Sequence, residues 1–302
     1  MSHSESSTAD RLAAHLRAGT LLDLIPGRYA GTLLDEAEMR AWDPGHDIDA
    51  NVLRDLLRGR VVTDPDPRGI RLRGARILGP LDLDHLNTAV ALTLENCLLE
   101  QGLSAVGAHL PELVLARCWL SHAIEFAFIG DGMSVDGSVA LAGSMLSANT
   151  TNGAVRLLDA RLGSQLNCSG ATLRNPSGPA LYADGLQTDG GVFFSEGFTA
   201  DGVGKLGAIR LLNARIGGEL NCSGATLLNA SGPALRIEGV QTNGGVFLDE
   251  GFTADGAGEL GAVRMLGARI GGQLNCSGAT LRNHSGPALI ADGLQADGVL
   301  LR

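Results

Sequence analysis

From Ile70 onward, apolar residues fall in pairs separated by one residue, and a new pair begins every five or six positions. One stretch reads Val155-x-Leu157, Ala160-x-Leu162, Leu166-x-Cys168 and Ala171-x-Leu173. After Arg174–Pro179 it resumes as Leu181-x-Ala183, Leu186-x-Thr188, Val192-x-Phe194 and Phe198-x-Ala200. A spacing of two places both apolar side chains of a triplet on one face of a short strand. Triplets this short, divided by Gly, Asn, Asp and Ser, describe a chain that turns a corner after each one. Helical spacing fits poorly, because Gly recurs where a helix interior would suffer.

Four such sides close one coil. The pattern opens with Ile70-x-Leu72, Ala75-x-Ile77 and Leu81-x-Leu83, and continues through Leu92-x-Leu94 and Cys97-x-Leu99 to Cys118-x-Leu120. It predicts an all-β solenoid over residues 70–302: a right-handed, four-sided parallel β-helix of about nine or ten coils. At ~4.8 Å per coil the rod would be ~45 Å long.

The second half repeats itself. LNCSGATL begins at Leu166, Leu220 and Leu274, and the 54-residue units Ala154–Gly207 and Ala208–Gly261 share 38 identities; a third copy runs from Ala262 to Arg302. Each unit supplies two coils, and repeats that stack on their own kind give additive, near-neighbour stability. Residues 1–69 follow a different pattern. Asp10–Arg17, Asp35–Trp42 and Asn51–Arg58 read as amphipathic helices, the last with Asp49 as N-cap and Gly59 as stop. A Pro-rich link, Thr63–Gly69, leads into the first coil. An open solenoid end exposes unpaired strands and apolar interior, so residues 1–69 are expected to form a helical cap.

Composition agrees with a narrow interior: 43 Gly, only 11 aromatic residues, and 44 % apolar. A net charge of −10 excludes a general nucleic-acid binder, which needs a basic footprint. No apolar run is long enough to cross a bilayer. The polar start Met1–Asp10 does not read as a secretory signal, and five cysteines with no C-x-x-C fit reduced thiols. The expectation is a cytoplasmic protein, in which the Asn-x-Ser/Thr triplets at Asn149, Asn167, Asn221, Asn229, Asn275 and Asn283 carry no glycan.

Candidate chemistry is sparse. Gly202-x-Gly204-x-x-Gly207 and Gly256-x-Gly258-x-x-Gly261 match a dinucleotide fingerprint by letter, yet they lead into strand triplets, which makes them loops. Cys168, Cys222 and Cys276 should form an interior column too widely spaced for disulfides, with Cys97 and Cys118 stacked in adjacent coils. Eight Asp-Gly pairs mark corners where Gly supplies a positive φ. In the irregular coils over 85–136, His85, His109 and His122 lie near Glu95, Glu112, Glu125 and Asp131, and His122 with Glu125 is the best acid/base pair. No metal site and no cofactor are predicted.

The outward residues form rows. Arg71, Arg76, Arg156, Arg161, Arg210, Arg215, Arg264 and Arg269 should line two adjacent sides as a partial arginine ladder, with Asp184, Glu238 and Asp292 near the corners. Phe193 and Phe247 are also middle residues and are expected to face outward as a contact surface, with Leu300 in the matching place.

Triplets such as Ala160-Arg161-Leu162 and Ala171-Thr172-Leu173 resemble the A-x-L-x-x units of pentapeptide-repeat proteins, which build quadrilateral β-helices. ARIGGQLNCSGATL with GPALxADG is similar to actinobacterial repeat proteins that carry the label membrane-associated oxidoreductase. The likeness spans Ile70–Arg302, although many triplets here are spaced by six. It implies end-to-end homodimers and, for some members, acidic rods that protect DNA gyrase. The label implies a redox enzyme, which no motif here supports.

The expected function is a non-catalytic interaction scaffold presenting Arg156, Arg161, Arg210, Arg215, Arg264, Arg269, Phe193 and Phe247 to a protein partner. Self-association through the edge of the last coil, Leu300–Arg302, is expected with it. The alternatives are an acidic DNA mimic acting on a topoisomerase, an enzyme or ligand-binding protein with its site in 85–136, and peripheral attachment to a membrane surface through the Arg and Phe rows.

Overall fold

The computed structural model describes residues 8–28 and 31–301. Short parallel strands stack into a right-handed β-solenoid of about ten turns. Side one is a 9-stranded sheet from Leu81–Asp82 to Leu289–Ile290, and side four a 10-stranded sheet from Asp47–Asp49 to Thr280–Asn283. Sides two and three join into one 17-stranded sheet because the strands Arg269–Asn275 and Gln295–Leu300 run through the corner between them. Register follows the triplets: Leu166 lies beside Val192, Val192 beside Leu220, and Leu220 beside Val246.

The inward positions read from the sequence are the core. From Ile70 to Ala254 nearly every flanking residue of a triplet is fully buried, including Leu166, Cys168, Leu181, Val192, Phe194 and Leu220. Each fully buried Leu contributes about 1.5–3 kcal/mol of apolar transfer. Interior and cap share one continuous apolar cluster from Leu12 to Cys276, so the break at residue 69 is a change of element type rather than of core.

The corners differ in their chemistry. Between sides one and two, one residue per coil takes a left-handed conformation, alternating a polar residue (Asp159 φ 53°, Asn213 φ 55°) with glycine (Gly185 φ 70°, Gly239 φ 68°). Here the expected use of Gly holds. Between sides two and three, and at Gly202 and Gly256 after side four, it does not. At Asp189-Gly190 the glycine is not left-handed; it serves close approach. The stack is bare backbone, Gly218 N–H to Gly190 O at 2.9 Å and Gly244 N–H to Gly218 O at 2.8 Å. A Cβ on Gly218 would sit 2.8 Å from the Gly191 nitrogen. Between sides four and one the chain makes longer loops. In alternate coils of the repeats an Asn braces this loop: Asn229 Nδ2 donates to Gly204 O in the preceding coil (2.9 Å) and to Pro233 O in its own loop (2.7 Å), while Oδ1 accepts from Ser231 N. Asn175 and Asn283 repeat the arrangement.

The three expected helices form as α1 (Thr8–Ala18), α2 (Glu36–Arg40) and α3 (Ala50–Leu57). Asp35 and Asp49 cap α2 and α3 by accepting from backbone N–H groups, and Gly59 follows α3 at φ 68°. Leu12, Leu16, Leu53, Leu56 and Leu57 close the end of the solenoid. The cap is more than helices: Leu22–Asp23 pairs with Leu72–Arg73, and Asp47–Asp49 with Arg76–Leu78, continuing sides three and four by one strand each. The first coil therefore starts on side three. That corrects the arginine ladder, because Arg71 sits on side three and Arg76 on side four, away from the other arginines. Arg76 belongs to the cap joint, bonded to Asp47 (2.6 Å) and to the carbonyls of Arg40 and Trp42.

Candidate functional site

In the irregular coils His122 and Glu125 lie side by side and line one surface cleft with Asp84, Gln101 and Ser104. His122 sits at the end of the strand Trp119–His122, and its Nδ1 accepts from the backbone N–H groups of Glu125 (2.8 Å) and Ile124 (3.3 Å). The ring thus caps its own loop. Nε2 lies 3.8 Å from Glu125, beyond hydrogen-bond range, and the Glu125 side chain is 71 % exposed. A surface cleft of about 570 Å3 beside His122 is lined by Arg40, Glu100, Ser121, Ser147 and Arg174. Beneath it the core runs through Leu94, Leu115, Leu120 and Phe128 without interruption. His109 instead pairs with exposed Asp136 at 2.8 Å, and His85 occupies a left-handed corner at φ 55°. Among the described residues no group of three or more His, Cys, Asp or Glu is placed to hold a metal ion.

The remaining arginines separate into two rows of different character. On side one, Arg156, Tyr182, Arg210, Arg236 and Arg264 are successive neighbours. Each of the sequence-predicted three is held by an acid from the preceding coil: Arg156 by Asp131, Arg210 by Asp184 at 2.7 Å, and Arg264 by Glu238 at 2.5 Å. The same acids brace the corner, since Asp131 and Asp184 also accept from the N–H groups of Leu158 and Leu212. Arg156 lies over the Phe126 ring and Arg210 over the Tyr182 ring. Burial opposes the Arg210 charge, but the hydrogen bond and field of Asp184 outweigh it, and its pKa lies above the ordinary value. This row is a structural ladder of compensated charge rather than a free basic strip. On side two, by contrast, Arg161, Arg215 and Arg269 are exposed and alternate with Gln187, Gln241 and Gln295.

Phe193 and Phe247 do face outward, on side three, half-buried, alternating with Asn167, Asn221 and Asn275. Their rings lie back over Gly191 and Gly245: a Cβ there would meet the ring at 2.8 and 3.0 Å. One row was missed. Thr172, Thr199, Thr226, Thr253 and Thr280 stack in register on side four. It was legible in principle, as the middle residue of every fourth triplet in the repeats.

The five cysteines are free and buried. Burial pushes the Cys168 and Cys222 thiols far above the usual range and Cys276 to about 11. Cys118 is raised by burial and then by the side chain of neighbouring Cys97, with the Cys97 N–H that points at its sulfur (3.4 Å) acting in the opposite direction. Thiols kept protonated in this way are poor nucleophiles. Both glycine-rich segments run from the end of side four, where Gly256 closes the strand Thr253–Gly256, through a loop to the strands Ile209–Arg210 and Val263–Arg264, so no helix N-terminus stands behind them.

The last coil differs from all the others. Leu281, Leu289, Ala291, Leu294 and Ala296 point inward but are only partly covered, and Val299 is 49 % exposed. Their counterparts one repeat earlier, Leu227, Leu235, Ile237 and Val240, are 0 % exposed. No helix among the described residues is long and apolar enough to cross a membrane. Comparison with protein-family models, curated proteins and solved structures gives no match for this chain.

Proposed function

We propose that the protein is a non-catalytic β-helical scaffold that pairs with a second copy through its last coil, as the resemblance to pentapeptide-repeat proteins also implies. The observation that carries this reading is the contrast between the two ends of the solenoid. Helices cover the first coil, whereas the edge of Gln295–Leu300 and the interior beside it lie open. An uncovered strand edge beside partly exposed apolar residues is a surface for strand pairing, and a second copy offering the same edge would meet it in a two-fold arrangement. Catalysis is disfavoured by the loop-capping role of His122 and the proton-bound thiols. An acidic mimic acting on a topoisomerase needs a continuous acidic face, and the acids of side one are matched by arginines. Membrane attachment through a combined Arg and Phe strip is disfavoured because the rows occupy different sides.

Sedimentation of the wild-type chain and of Val299→Glu tests the reading. Dimers at micromolar concentration that become monomers in the variant support it; monomeric wild-type protein at that concentration removes it.

A further inference from the structure

We propose that side three, from Gln165 to Ser277, is a docking strip for a linear, neutral β-1,4-linked polysaccharide, with sugar rings seated on Phe193 and Phe247. This rests on residues that the end-to-end pairing does not use.

The first support is the posture of the rings. In the coils that carry Phe, the residue two positions earlier on the same outward face is glycine, Gly191 or Gly245. In the intervening coils that position is Gln165, Glu219 or Gln273, and the partner is Asn rather than Phe. The missing side chain leaves room for the ring to lie along the strand, at 2.8 Å from where a Gly191 Cβ would be. Each ring lies against backbone on one side and stays half-exposed. Sugar rings carry C–H groups on their flat faces and hydroxyls around their rims, so they stack on such a platform and seek planar hydrogen-bonding groups beside it. Asn167, Asn221, Asn275, Gln165 and Gln273 provide those groups.

The second support is the period. Phe recurs every second coil, ~9.6 Å along the rod. In an extended β-1,4 chain successive sugars are flipped, so the same ring face recurs once per disaccharide, at nearly that distance. A rigid β-helix thus presents a stacking site for alternate sugars, with Asn221 between Phe193 and Phe247 in register.

The third support is charge. Among the described residues, Gln165–Ser169, Gly191–Ser195, Glu219–Ser223, Gly245–Asp249 and Gln273–Ser277 contain no Lys or Arg, while Glu219 and Asp249 are acidic. A polyanion would be repelled, which favours a neutral, hydroxyl-rich polymer over nucleic acid or an anionic lipid surface. Such glycans belong to cell envelopes and extracellular material, so this inference places the protein's action outside the cytosol, against the expectation from its unpaired cysteines.

The test is co-sedimentation of the full chain with microcrystalline cellulose, chitin and insoluble xylan, with pectin as the anionic comparison. The expected result is retention on at least one neutral glycan, falling roughly tenfold in apparent affinity in the double variant Phe193→Ala/Phe247→Ala. Arg161→Ala and Val299→Glu should bind as wild type, which separates this surface from the dimer end. Both Phe side chains face outward and are only half-buried, so a cooperative melt at a modestly lower temperature accompanies the loss; the single variants serve if the double variant melts early. Absence of retention on all three neutral glycans overturns the inference. So does retention that survives removal of both rings, or binding confined to pectin.

Discussion

Leu181, Leu235 and Leu289 are the same residue in the same GPAL segment of three successive repeats, and they differ in what is stacked on them. Leu181 and Leu235 are 0 % exposed, covered by the next coil through Ile209 and Val263, whereas among the described residues Leu289 pairs only with the preceding coil and is partly exposed. Truncation to Ala at the first two positions removes a buried side chain and leaves a hole that parallel strands at fixed spacing cannot close. Each should cost about 3–5 kcal/mol. At Leu289 part of the side chain already faces water and the neighbours can relax outward, so a monomer should lose only ~1–2 kcal/mol. Urea unfolding followed by circular dichroism gives the totals, and hydrogen exchange locates the loss, because neighbouring coils open as local units. A dilution series adds the effect of self-association. Where dimers are populated, the Leu289→Ala penalty should grow and become concentration-dependent, because pairing of the folded state contributes to apparent stability. If Leu289→Ala costs a dilute monomer as much as Leu235→Ala does, the reasoning that burial here comes from the following coil is wrong.

Asn229→Ala should cost about 1–3 kcal/mol, since it strips the Gly204 and Pro233 carbonyls of their donor at a buried brace; chemical denaturation measures it. Asp184→Ala should cost ~1–2 kcal/mol by leaving Leu212 N–H and the half-buried Arg210 without their acceptor, while Arg161→Ala, at an exposed position, should be nearly neutral in the same assay. The buried thiols give a pH signature. Native Cys222 holds its proton above the ordinary thiol value of 9.0, where the unfolded chain loses it. Its contribution to stability is therefore complete below that value and is lost as pH rises past it; Cys222→Ala should flatten the decline in Tm. In thiol-reagent titrations of native protein, Cys276 should react first as pH approaches about 11, with Cys168 and Cys222 silent until unfolding. A native Cys222 that reacts before Cys276 would contradict this.

Much of the architecture was legible because a two-residue period and a fixed coil length leave few options for where a side chain points. Val155, Leu162, Leu166 and Leu173 could be assigned to the interior from spacing alone, and Phe193 and Phe247 to the outside. The candidate site was less legible. The His122–Glu125 spacing suggested acid/base chemistry, but the loop turns the imidazole back onto its own backbone. Arg156, Arg210 and Arg264 were legible as an outward ladder with acids near the corners, but not which acid holds which, because Asp131, Asp184 and Glu238 lie about a coil away in sequence and become neighbours only on stacking. Arg71 and Arg76 were placed in the wrong row because the cap supplies two strands of its own and shifts the side on which the first coil begins.

The amino-acid pattern by itself determined a repeating, four-sided parallel β-helix, a helical start, and which residues point in or out, since these follow from local period and local turn chemistry. The tertiary structure alone decided which charges cancel, which glycines bend the chain and which permit backbone to touch backbone, and which apolar residues stay uncovered at the last coil. Those properties depend on distances between residues one full coil apart, and a linear sequence does not specify them until the coils are stacked.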